Sequence, residues 1–591
     1  MAVDGYWQRF ARRSAGRRSV LAGGMAGLAA FAAAAAGCTS NSNKSGNAAP
    51  AGGNVQGNVQ GNVPRPAGAT GSPSAVTPPE ALIGNAKRGG TFKFDQPDEP
   101  ISLDNHRQET PGSIQAANLS YNHLLRRWED FVAAPGQVFV ADELATSWEQ
   151  IDKLTYRFHL VKNATFHNVA PLNGRAFTSD DVKYSINRMK GTDPELRTRS
   201  AFEPVDKIDT PDAATVVVTT SQPYSAFLAA AGHTWSVIMG HELGDSQDVN
   251  RKAVGTGPFI FKEWQSGVSL TYDRNPNYFR KGQPFFDHVI MRIVPDQAAR
   301  TANFRAGETD TWGGAPPTIP AQQVVDMKSA VPDTNEIKRV GSNNSGTKAF
   351  FNTAAAPFND VRLRQAFLYG ADYDAMAKIF GGLAQRAAPM PLASIWGLSL
   401  DELPKTDLAK ATQLLSAAGY TSDKPLSVKT TISQQYSGPA VSQILQGIMK
   451  PVGVTINIDQ IENAAWIAQV YRGGQNYQMT SFGDWSWEDP DRGLWSYFHS
   501  DGNANNTHYS NPQVDALLLQ QRQEFDTTAR QKIVHDIQLM IINDAPQVWL
   551  VSTGTDELDR TRLKNYRQMQ MGNSNSYREW EWCWYDPIPS S

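Results

Sequence analysis

The feature that most constrains the fold is a long stretch, residues 89–591, that no glycine- and proline-rich linker interrupts. Segments with the alternation or β-branched richness of strands recur along it, and segments with the apolar spacing of helices lie between them. The strand-like segments are 90–94, 154–160, 215–220, 269–272, 288–294 and 548–551, and the helical ones are 178–189, 298–306, 361–371, 407–418 and 511–543. This interleaving predicts a mixed α/β body, either one interwoven unit or several domains joined by short hinges.

The first 38 residues have the pattern of an export signal. Five arginines up to Arg18 precede an uncharged run, rich in alanine and glycine, that extends from Ser19 to Gly37 and ends at Cys38. A basic region, an apolar region and small residues before a break are typical of such signals. The alternative is a transmembrane anchor, but the run is near the lower length limit for a span and alanine and glycine insert weakly. We therefore predict an export signal over residues 1–38.

Two short motifs in this segment indicate how the protein is exported and anchored. Residues 17–21 resemble a twin-arginine signal, and residues 35–38 resemble a bacterial lipobox, although Ala35 stands where leucine is usual. The lipobox resemblance implies that Cys38 carries a lipid. Residues 39–88 are rich in Ser, Asn, Gly, Pro and Ala, which predicts a disordered tether. We expect a bacterial protein outside the cytoplasm, lipid-anchored at the membrane or located in a periplasm or at the cell surface.

Composition and motifs exclude several classes of function. Lys and Arg together number 55 and Asp and Glu 58, and this net charge of −3 argues against a strongly basic nucleic-acid binder. Two cysteines exclude a disulfide scaffold and a four-cysteine zinc site. The sequence has no Gly-x-Ser-x-Gly, His-Glu-x-x-His or Cys-x-x-Cys motif, and glycines in 255–257 and 341–346 fit ordinary turns. We therefore expect a non-enzymatic protein with no metal and no cofactor.

A set of segments between residues 144 and 420 carries a resemblance to a known family. The segments are 144–149, 156–167, 177–185, 254–264, 270–279, 286–296, 305–310, 351–353, 357–366 and 411–420. In this order they resemble the extracytoplasmic solute-binding proteins of ATP-driven (ABC) importers, family 5, the peptide/nickel/opine-binding class. The motif Thr256-Gly-Pro-Phe reads as a turn that feeds a strand, in which we expect glycine to supply a positive φ.

The resemblance implies a two-lobed α/β periplasmic-binding-protein fold, type II, cluster C. Lobe I would combine 89–127, 204–315 and 552–591, an extra domain in the N-terminal half would be 128–203, and lobe II would be 316–551. A small molecule or peptide would bind between the lobes and be enclosed by hinge closure. The protein would be a monomer that delivers this ligand to an ABC permease and ATPase complex in the membrane, with no nucleic-acid partner.

The segment before Pro490 is the most informative about the ligand. In peptide-binding relatives an acidic residue four positions before this proline binds the α-amino group of the peptide, and here that position is Ser486. A buried ammonium needs a carboxylate, because an unpaired charge is costly to desolvate. Unless Asp484 or Asp489 takes over from a shifted loop, the site lacks this amine anchor.

Aromatic residues on either side of Ser486 are further candidates. Trp485 and Trp487 would lie on one face of an extended segment, where they either stack on the ligand or pack in the core. Other residues predicted to line the cleft are Trp312, Asp104, Asn105 and Tyr121, whereas Trp580, Trp582 and Trp584 alternate and are predicted to pack from one strand face.

The sequence leaves the ligand open. The runner-up to a general solute receptor is an oligopeptide or dipeptide receptor, and non-peptide ligands such as an opine, a sugar or a metal chelate are the alternative. An exported hydrolase on the same fold is a remote possibility. A purely structural surface protein is a third class, for which no ligand-induced closure is expected.

Overall fold

The computed structural model describes residues 83–107, 110–128, 139–193, 195–196, 198–313, 321–339, 346–379, 384–392, 394–434, 438–471, 474, 476–484, 489–553, 555–566 and 580–589. All of them belong to one unit, Asn58–Ser591. The predicted export signal with Cys38, the tether up to residue 82, and Trp485, Ser486 and Trp487 lie outside the described residues.

Strands occur along the whole described chain. Up to residue 313 they are β1 (Thr91–Gln96), β2 (Asn122–His123), β3 (Leu125–Trp128), β4 (Phe139–Asp142), β5 (Ala145–Gln150), β6 (Thr155–Leu160), β7 (Val205–Asp212), β8 (Thr215–Thr220), β9 (Val237–Ile238), β10 (Phe259–Gln265), β11 (Ser269–Arg274), β12 (His288–Ile293) and β13 (Thr311–Gly313). Further along they are β14 (Thr334–Arg339), β15 (Gly346–Phe351), β16 (Ala384–Arg386), β17 (Leu426–Ser433), β18 (Val454–Ile461), β19 (Met479–Asp484), β20 (Gln547–Thr553), β21 (Thr555–Arg560), β22 (Leu563–Lys564) and β23 (Trp584–Tyr585).

Helices alternate with these strands, as the sequence pattern predicts. They are α1 (Pro111–Asn118), α2 (Ser179–Met189), α3 (Arg199–Phe202), α4 (Phe227–Ala231), α5 (His241–Gly244), α6 (Gln297–Ala306), α7 (Ala321–Ala330), α8 (Val361–Gly370), α9 (Tyr373–Ile379), α10 (Leu408–Ala417), α11 (Gly438–Met449), α12 (Asn463–Trp466), α13 (Ser496–Phe498), α14 (Pro512–Gln523) and α15 (Thr527–Asp544). Two π-helical turns, Ile467–Tyr471 and Asp491–Trp495, and four 3₁₀ turns, Gln247–Asn250, Leu400–Glu402, Lys450–Val452 and Trp580–Trp582, complete the described elements.

The strands form several separate sheets. The larger ones have the strand orders β1-β12-β11-β10, β5-β6-β8-β7 and β16-β20-β15-β19-β17-β18, and β13-β21-β14 forms a three-stranded sheet. In β6 the apolar residues Tyr156, Phe158 and Leu160 are buried while their neighbours are more exposed, which is the predicted alternation. The mixed α/β class predicted from the sequence is confirmed.

The apolar residues form three cores. The first core takes buried residues between Phe92 and Ile293 together with residues between Leu563 and Tyr585. The second core takes residues from Ala349 to Val551. A small third core consists of Phe304, Trp312, Val324, Met327, Val331 and Leu558. The lobe and extra-domain limits given above stay a prediction.

The chain passes between the first and second cores along β14 and β21, two neighbouring strands of the three-stranded sheet, which we call the β14–β21 ribbon. β14 runs antiparallel to β21, with Thr334 opposite Arg560 and Arg339 opposite Thr555. The chain continues from β14 into β15 of the second core and returns through β20 and β21. The two passages are therefore hydrogen-bonded neighbours.

Local sequence signals account for several element boundaries. The Asp181 carboxylate accepts a hydrogen bond from the Thr178 backbone N–H at 2.9 Å, which fixes the predicted start of α2. Val182, Ile186 and Met189 are buried on one face of this helix, as predicted. Within the described ranges, none of the helices is long and apolar enough to cross a membrane.

Three expectations from the sequence need correction. The helical segment 511–543 is two helices, α14 and α15, because the chain turns between Glu524 and Asp526. Trp580 and Trp582 are buried as predicted, but they lie in a 3₁₀ turn rather than on a strand with Trp584. Gly257 does not have a positive φ.

Glycines are required beside Thr256 for a different reason. A Cβ atom on Gly255 would lie 2.2 Å from the Ser120 carbonyl oxygen, and one on Gly257 would lie 2.6 Å from the same oxygen. Because any side chain would collide with this backbone, only glycine permits the segment to pack against the residue that precedes Tyr121. The glycine motif thus fixes the position of Tyr121.

Candidate functional site

The first and second cores meet where residues 198–235 contact residues 489–530. Ser200 and Ser496 are joined through their hydroxyl oxygens at 3.0 Å. The Ser225 N–H donates to the Arg522 carbonyl oxygen at 2.8 Å, and the Arg522 Nη2 atom donates to the Ser200 carbonyl oxygen at 3.1 Å. We call this contact region the boundary.

Asp491 is the centre of the boundary. It is buried, and its carboxylate accepts hydrogen bonds from the Arg522 Nε atom at 2.6 Å and the Gln521 Nε2 atom at 2.8 Å. Tyr224, from the other side of the boundary, donates its hydroxyl to the same carboxylate at 3.0 Å. Burial, followed by the charge of Asp491, raises the pKa of Tyr224 well above its ordinary value, so this hydroxyl stays protonated and able to donate.

Asp489, predicted as a possible amine anchor, is paired with an arginine. Its two carboxylate oxygens accept from the Arg530 Nη1 and Nη2 atoms at 2.8 and 2.6 Å, and both side chains are buried. Its Oδ1 atom also accepts the Asp491 backbone N–H at 2.9 Å. This bidentate pair fixes the chain at the end of the segment that contains the two predicted tryptophans.

The start of the same segment is fixed by a strand. β19 ends at Asp484, whose backbone pairs with Gly346 of β15. The polypeptide from Asp484 to Asp489 therefore has one end in the six-stranded sheet and the other at the boundary.

Asp104, predicted to line the cleft, is completely buried and is bound by Arg188. The Arg188 Nη1 and Nη2 atoms donate to its two oxygens at 2.9 and 2.6 Å. Burial raises the pKa of Asp104, but the hydrogen bonds and charge of Arg188 outweigh it, so this pKa lies below its ordinary value. Burial and Arg188 together lower the pKa of the neighbouring His106 to about 4, which leaves this imidazole neutral.

Asn105 and Tyr121 lie on the first-core side, and Asn105 contacts the boundary through Thr234. The Asn105 Nδ2 atom donates to the Thr234 carbonyl oxygen at 2.7 Å. Its Oδ1 atom is buried and accepts no hydrogen bond from the part of the chain that the structure describes. Tyr121 is 1% exposed, and burial raises the pKa of its hydroxyl.

Trp312 lies in the third core. Its ring is stacked with that of Phe304 at 6.2 Å between centroids, and its Nε1 atom donates to the Thr301 hydroxyl at 3.1 Å. It thus packs beside the β14–β21 ribbon, since Leu558 of β21 belongs to the same core. Its predicted role in ligand binding stays a prediction, as do those of Asp104, Asn105, Tyr121, Asp484 and Asp489.

Sequence reasoning missed Trp235 and Arg492 at the boundary. The guanidinium carbon of Arg492 lies 3.4 Å from the centre of the Trp235 ring system, and its Nη1 atom lies 3.1 Å from the Nδ1 atom of His233. This geometry is a cation–π contact between the two sides. Trp235 lies in a short polar segment after α4 that matches no sequence motif. Only its contact with Arg492 in the folded structure identifies it as a boundary residue.

The part of the chain that the structure describes contains no cluster of three or more His, Cys, Asp or Glu side chains that could hold a metal ion. The buried carboxylates Asp104, Asp489 and Asp491 are each paired with an arginine, Arg188, Arg530 and Arg522 respectively.

Comparisons with known proteins give a consistent result. Residues 140–505 match the family described as bacterial extracellular solute-binding proteins, family 5 middle. Heme-binding protein A of Haemophilus influenzae is 28% identical over 493 residues, which cover 78% of this chain and 87% of that protein. Di/tripeptide-binding protein 2 of Pseudomonas aeruginosa is 27% identical over 475 residues, which cover 74% and 86%.

Solved structures share the fold. The periplasmic binding protein DppA of Helicobacter pylori, in complex with the peptide STSA, superposes with a TM-score of 0.73 at 22% identity and covers 84% of this chain and 98% of its own. The binding protein AgaA of A. tumefaciens R10, in complex with agropinic acid, has a TM-score of 0.73 at 24% identity and covers 84% and 99%. These matches confirm the predicted periplasmic-binding-protein fold.

Proposed function

We propose a binding mode and a ligand class for this chain on the premise that it belongs to the bacterial extracellular solute-binding proteins, family 5. It is a substrate-binding protein of an ABC importer, which captures a solute outside the cytoplasm for a membrane permease. In our proposal the solute binds at the boundary, the two cores close around it as a hinge, and a lipid on Cys38 anchors the protein. The β14–β21 ribbon is the hinge, because the chain passes between the first and second cores there.

The observation that carries this proposal is the placement of the two described ends of segment 484–489, Asp484 and Asp489. One end belongs to the sheet of the second core, and the other end is joined through Asp491 to Tyr224 of the first core. A ligand contacting Trp485, Ser486 or Trp487 would therefore act on a segment whose end is tied to both sides of the boundary. That coupling is what closure on a ligand requires.

The ligand we favour is not a simple peptide bound through its α-amino group. Ser486 occupies the position of the expected acidic anchor, and the carboxylate of Asp489 is engaged by Arg530. The names of the relatives include both heme-binding and di/tripeptide-binding proteins, so both ligand classes occur among them. An oligopeptide receptor is the second candidate, and similarity to the di/tripeptide-binding relative supports it.

We expect the purified protein to become more compact when its solute binds. Native mass spectrometry of the freshly purified protein identifies a co-purified solute, and small-angle scattering before and after its removal and re-addition measures the radius of gyration. Trp485→Ala and Trp487→Ala should each weaken binding of this solute about 2- to 10-fold, since an aromatic contact contributes about 0.5–1.5 kcal/mol.

Circular dichroism and the melting temperature of both tryptophan variants are the controls, and both quantities should match the parent protein. Normal binding by both variants would show that the tryptophans only pack. A radius of gyration that never changes with any bound solute would refute closure and favour a structural protein.

Simple di- and tripeptides with free amino termini should bind weakly, with dissociation constants of about 1 mM or more. The buried carboxylates of the boundary, Asp489 and Asp491, are each already paired with an arginine, so neither is available to a charged ammonium. Isothermal titration calorimetry with dialanine and trialanine measures this. Micromolar binding would overturn the argument from Ser486 and support the oligopeptide receptor.

A further inference from the structure

We propose that Asp559 makes the β14–β21 ribbon sensitive to pH: its protonated carboxyl group holds the ribbon in the arrangement described here, and ionisation loosens the ribbon. This inference rests on the proposed function, because it treats the ribbon as the hinge. It adds that the pH outside the cytoplasm biases the hinge independently of the solute.

Asp559 lies in the middle of the sheet that contains the ribbon. β21 is the central strand of this sheet, and Asp559 is opposite Thr311 of β13 and Asn335 of β14. The preceding residue, Leu558, belongs to the third core, so Asp559 points to the other face of the sheet. It is 2% exposed. A charge on this side chain is therefore held between two strand pairs and away from water.

The hydrogen-bond partner of the Asp559 carboxylate is a neutral side chain. The Asn335 Nδ2 atom donates to its Oδ2 atom at 2.9 Å. Within the described part of the chain Asp559 forms no ion pair, unlike the buried carboxylates of the boundary. An ionised carboxylate in this position has no cation in contact with it to offset its loss of hydration.

The arginines that follow in the sequence are bound by other carboxylates. The Arg560 Nη1 atom donates to Asp333 at 2.7 Å. The Arg562 Nε atom donates to Asp310 at 2.7 Å, and the Tyr585 hydroxyl donates to the same carboxylate. Both guanidinium groups are thus paired with carboxylates other than the one in the centre of the sheet.

Burial is the largest influence on the acidity of Asp559, and it raises the pKa of this carboxyl group to about 6. The hydrogen bond from Asn335 and the charge of Lys564 lower this pKa, whereas the charge of Asp310, directly before β13, raises it. Glu557, on the same face of β21, is a further acidic group. The described arrangement therefore favours the protonated form of Asp559 and is disfavoured when this group ionises.

The direction of the pH effect follows from proton binding. A solvated aspartate has a pKa of about 3.9, so a loosened ribbon that exposes Asp559 to water binds fewer protons than the described arrangement. Raising the pH from about 5 to about 7.5 therefore favours loosening. The two pKa values give an increase of about 10-fold in the ratio of loosened to described ribbon over this interval.

The test measures amide hydrogen exchange by mass spectrometry on the full-length protein, freed of co-purified solute. Peptides covering β14 and β21 report on the ribbon, and each rate is divided by the intrinsic exchange rate at the same pH. We expect these normalised rates to be about 10-fold higher at about pH 7.5 than at about pH 5. Peptides covering β17 and β18 of the second core should show no such increase.

Asp559→Asn replaces the carboxyl group by a neutral group that still accepts from Asn335, so its ribbon should exchange at the same normalised rate at both pH values. Asp459→Asn is the matched control, because Asp459 is an exposed carboxylate of β18, and it should keep the full pH dependence. Asn335→Ala removes a hydrogen bond that lowers the pKa of Asp559, so it should move the pH profile to higher pH. Near-UV circular dichroism checks that the variants fold.

The outcomes separate this inference from the proposed function. Normalised exchange of the ribbon that is independent of pH in the parent, or equally dependent on pH in the parent and Asp559→Asn, would overturn the inference. Should Asp559→Asn not fold, an unshifted pH profile of Asn335→Ala would overturn it instead. In each of these cases, compaction with the co-purified solute would leave the receptor function intact. A pH-dependent ribbon without compaction by any solute would refute closure, and with it the role of the ribbon as a hinge.

Discussion

Replacing Asp491 by alanine is expected to lower the free energy of unfolding by about 3–5 kcal/mol, because it leaves the buried Arg522 without its counter-ion. Arg522 is buried, and its Nε and Nη2 atoms lie 2.6 and 3.2 Å from the Asp491 carboxylate. The substitution also removes the acceptor of Tyr224, so it weakens the contact between the cores as well as the second core itself. Urea unfolding followed by tryptophan fluorescence measures the loss.

The matched control for Asp491→Ala is Asp459→Ala. Asp459 also pairs with a basic residue, Lys429, at 2.8 Å, but both side chains are well exposed. Exposed pairs contribute about 0–1 kcal/mol, so the control should barely shift the urea midpoint. Similar losses in the two variants would contradict the idea that burial makes Asp491 essential.

Replacing Glu581 by leucine should have a comparable effect on the first core, about 3–5 kcal/mol. Glu581 and Arg126 are both buried, and the Arg126 Nη2 atom lies 2.5 Å from the Glu581 Oε1 atom. Burial lowers the pKa of Arg126, but the charges of Glu581 and Glu143 outweigh it, so the arginine pKa is raised and its charge persists. Glu143 lies further from the same Nη2 atom, at 3.8 Å, so it does not replace the close contact with Glu581.

A double variant shows whether Glu581→Leu destabilises the protein through an unpaired charge or through lost packing. Arg126→Met combined with Glu581→Leu replaces both ions by apolar groups, which is often close to neutral, so it should be more stable in urea than Glu581→Leu alone. Lys252→Ala, which breaks an exposed pair with Asp248, is the surface control. A double variant no more stable than Glu581→Leu would show that lost packing, rather than an unpaired charge, causes the destabilisation.

Helices and strands whose boundaries depend on residues close together in the sequence could be predicted from the sequence. The start of α2 follows from Thr178 and Asp181, which are three positions apart, and the alternation of β6 follows from its own residues. The break between α14 and α15 was missed, because the apolar spacing continues across a turn that only the Asp526 cap reveals. Trp580 and Trp582 were misplaced for the related reason that alternation also fits a tight turn.

The partners of the site residues could not be predicted, because they are far apart in the sequence. Asp491 and Tyr224 are separated by 267 positions, and Asn105 and Thr234 by 129. A carboxylate such as Asp489 is visible in the sequence, but whether it is available to a ligand depends on Arg530, and the sequence pattern does not indicate that pair. The family resemblance indicated which segments are candidates for ligand binding. Only the structure shows which charged side chains in those segments are already paired.

The β14–β21 ribbon determines whether the second core could be removed or exchanged as one continuous piece of the chain. Arg339 and Thr555 are directly opposite each other on neighbouring strands, which lie about 4.7–4.9 Å apart, so the points at which the chain enters and leaves the second core are adjacent. The second core is thus an insert nested within a host whose own residues continue on both sides of it. Because the two ends of the second core are adjacent, it could be excised or exchanged, and a short turn could then reconnect the two flanking parts of the chain.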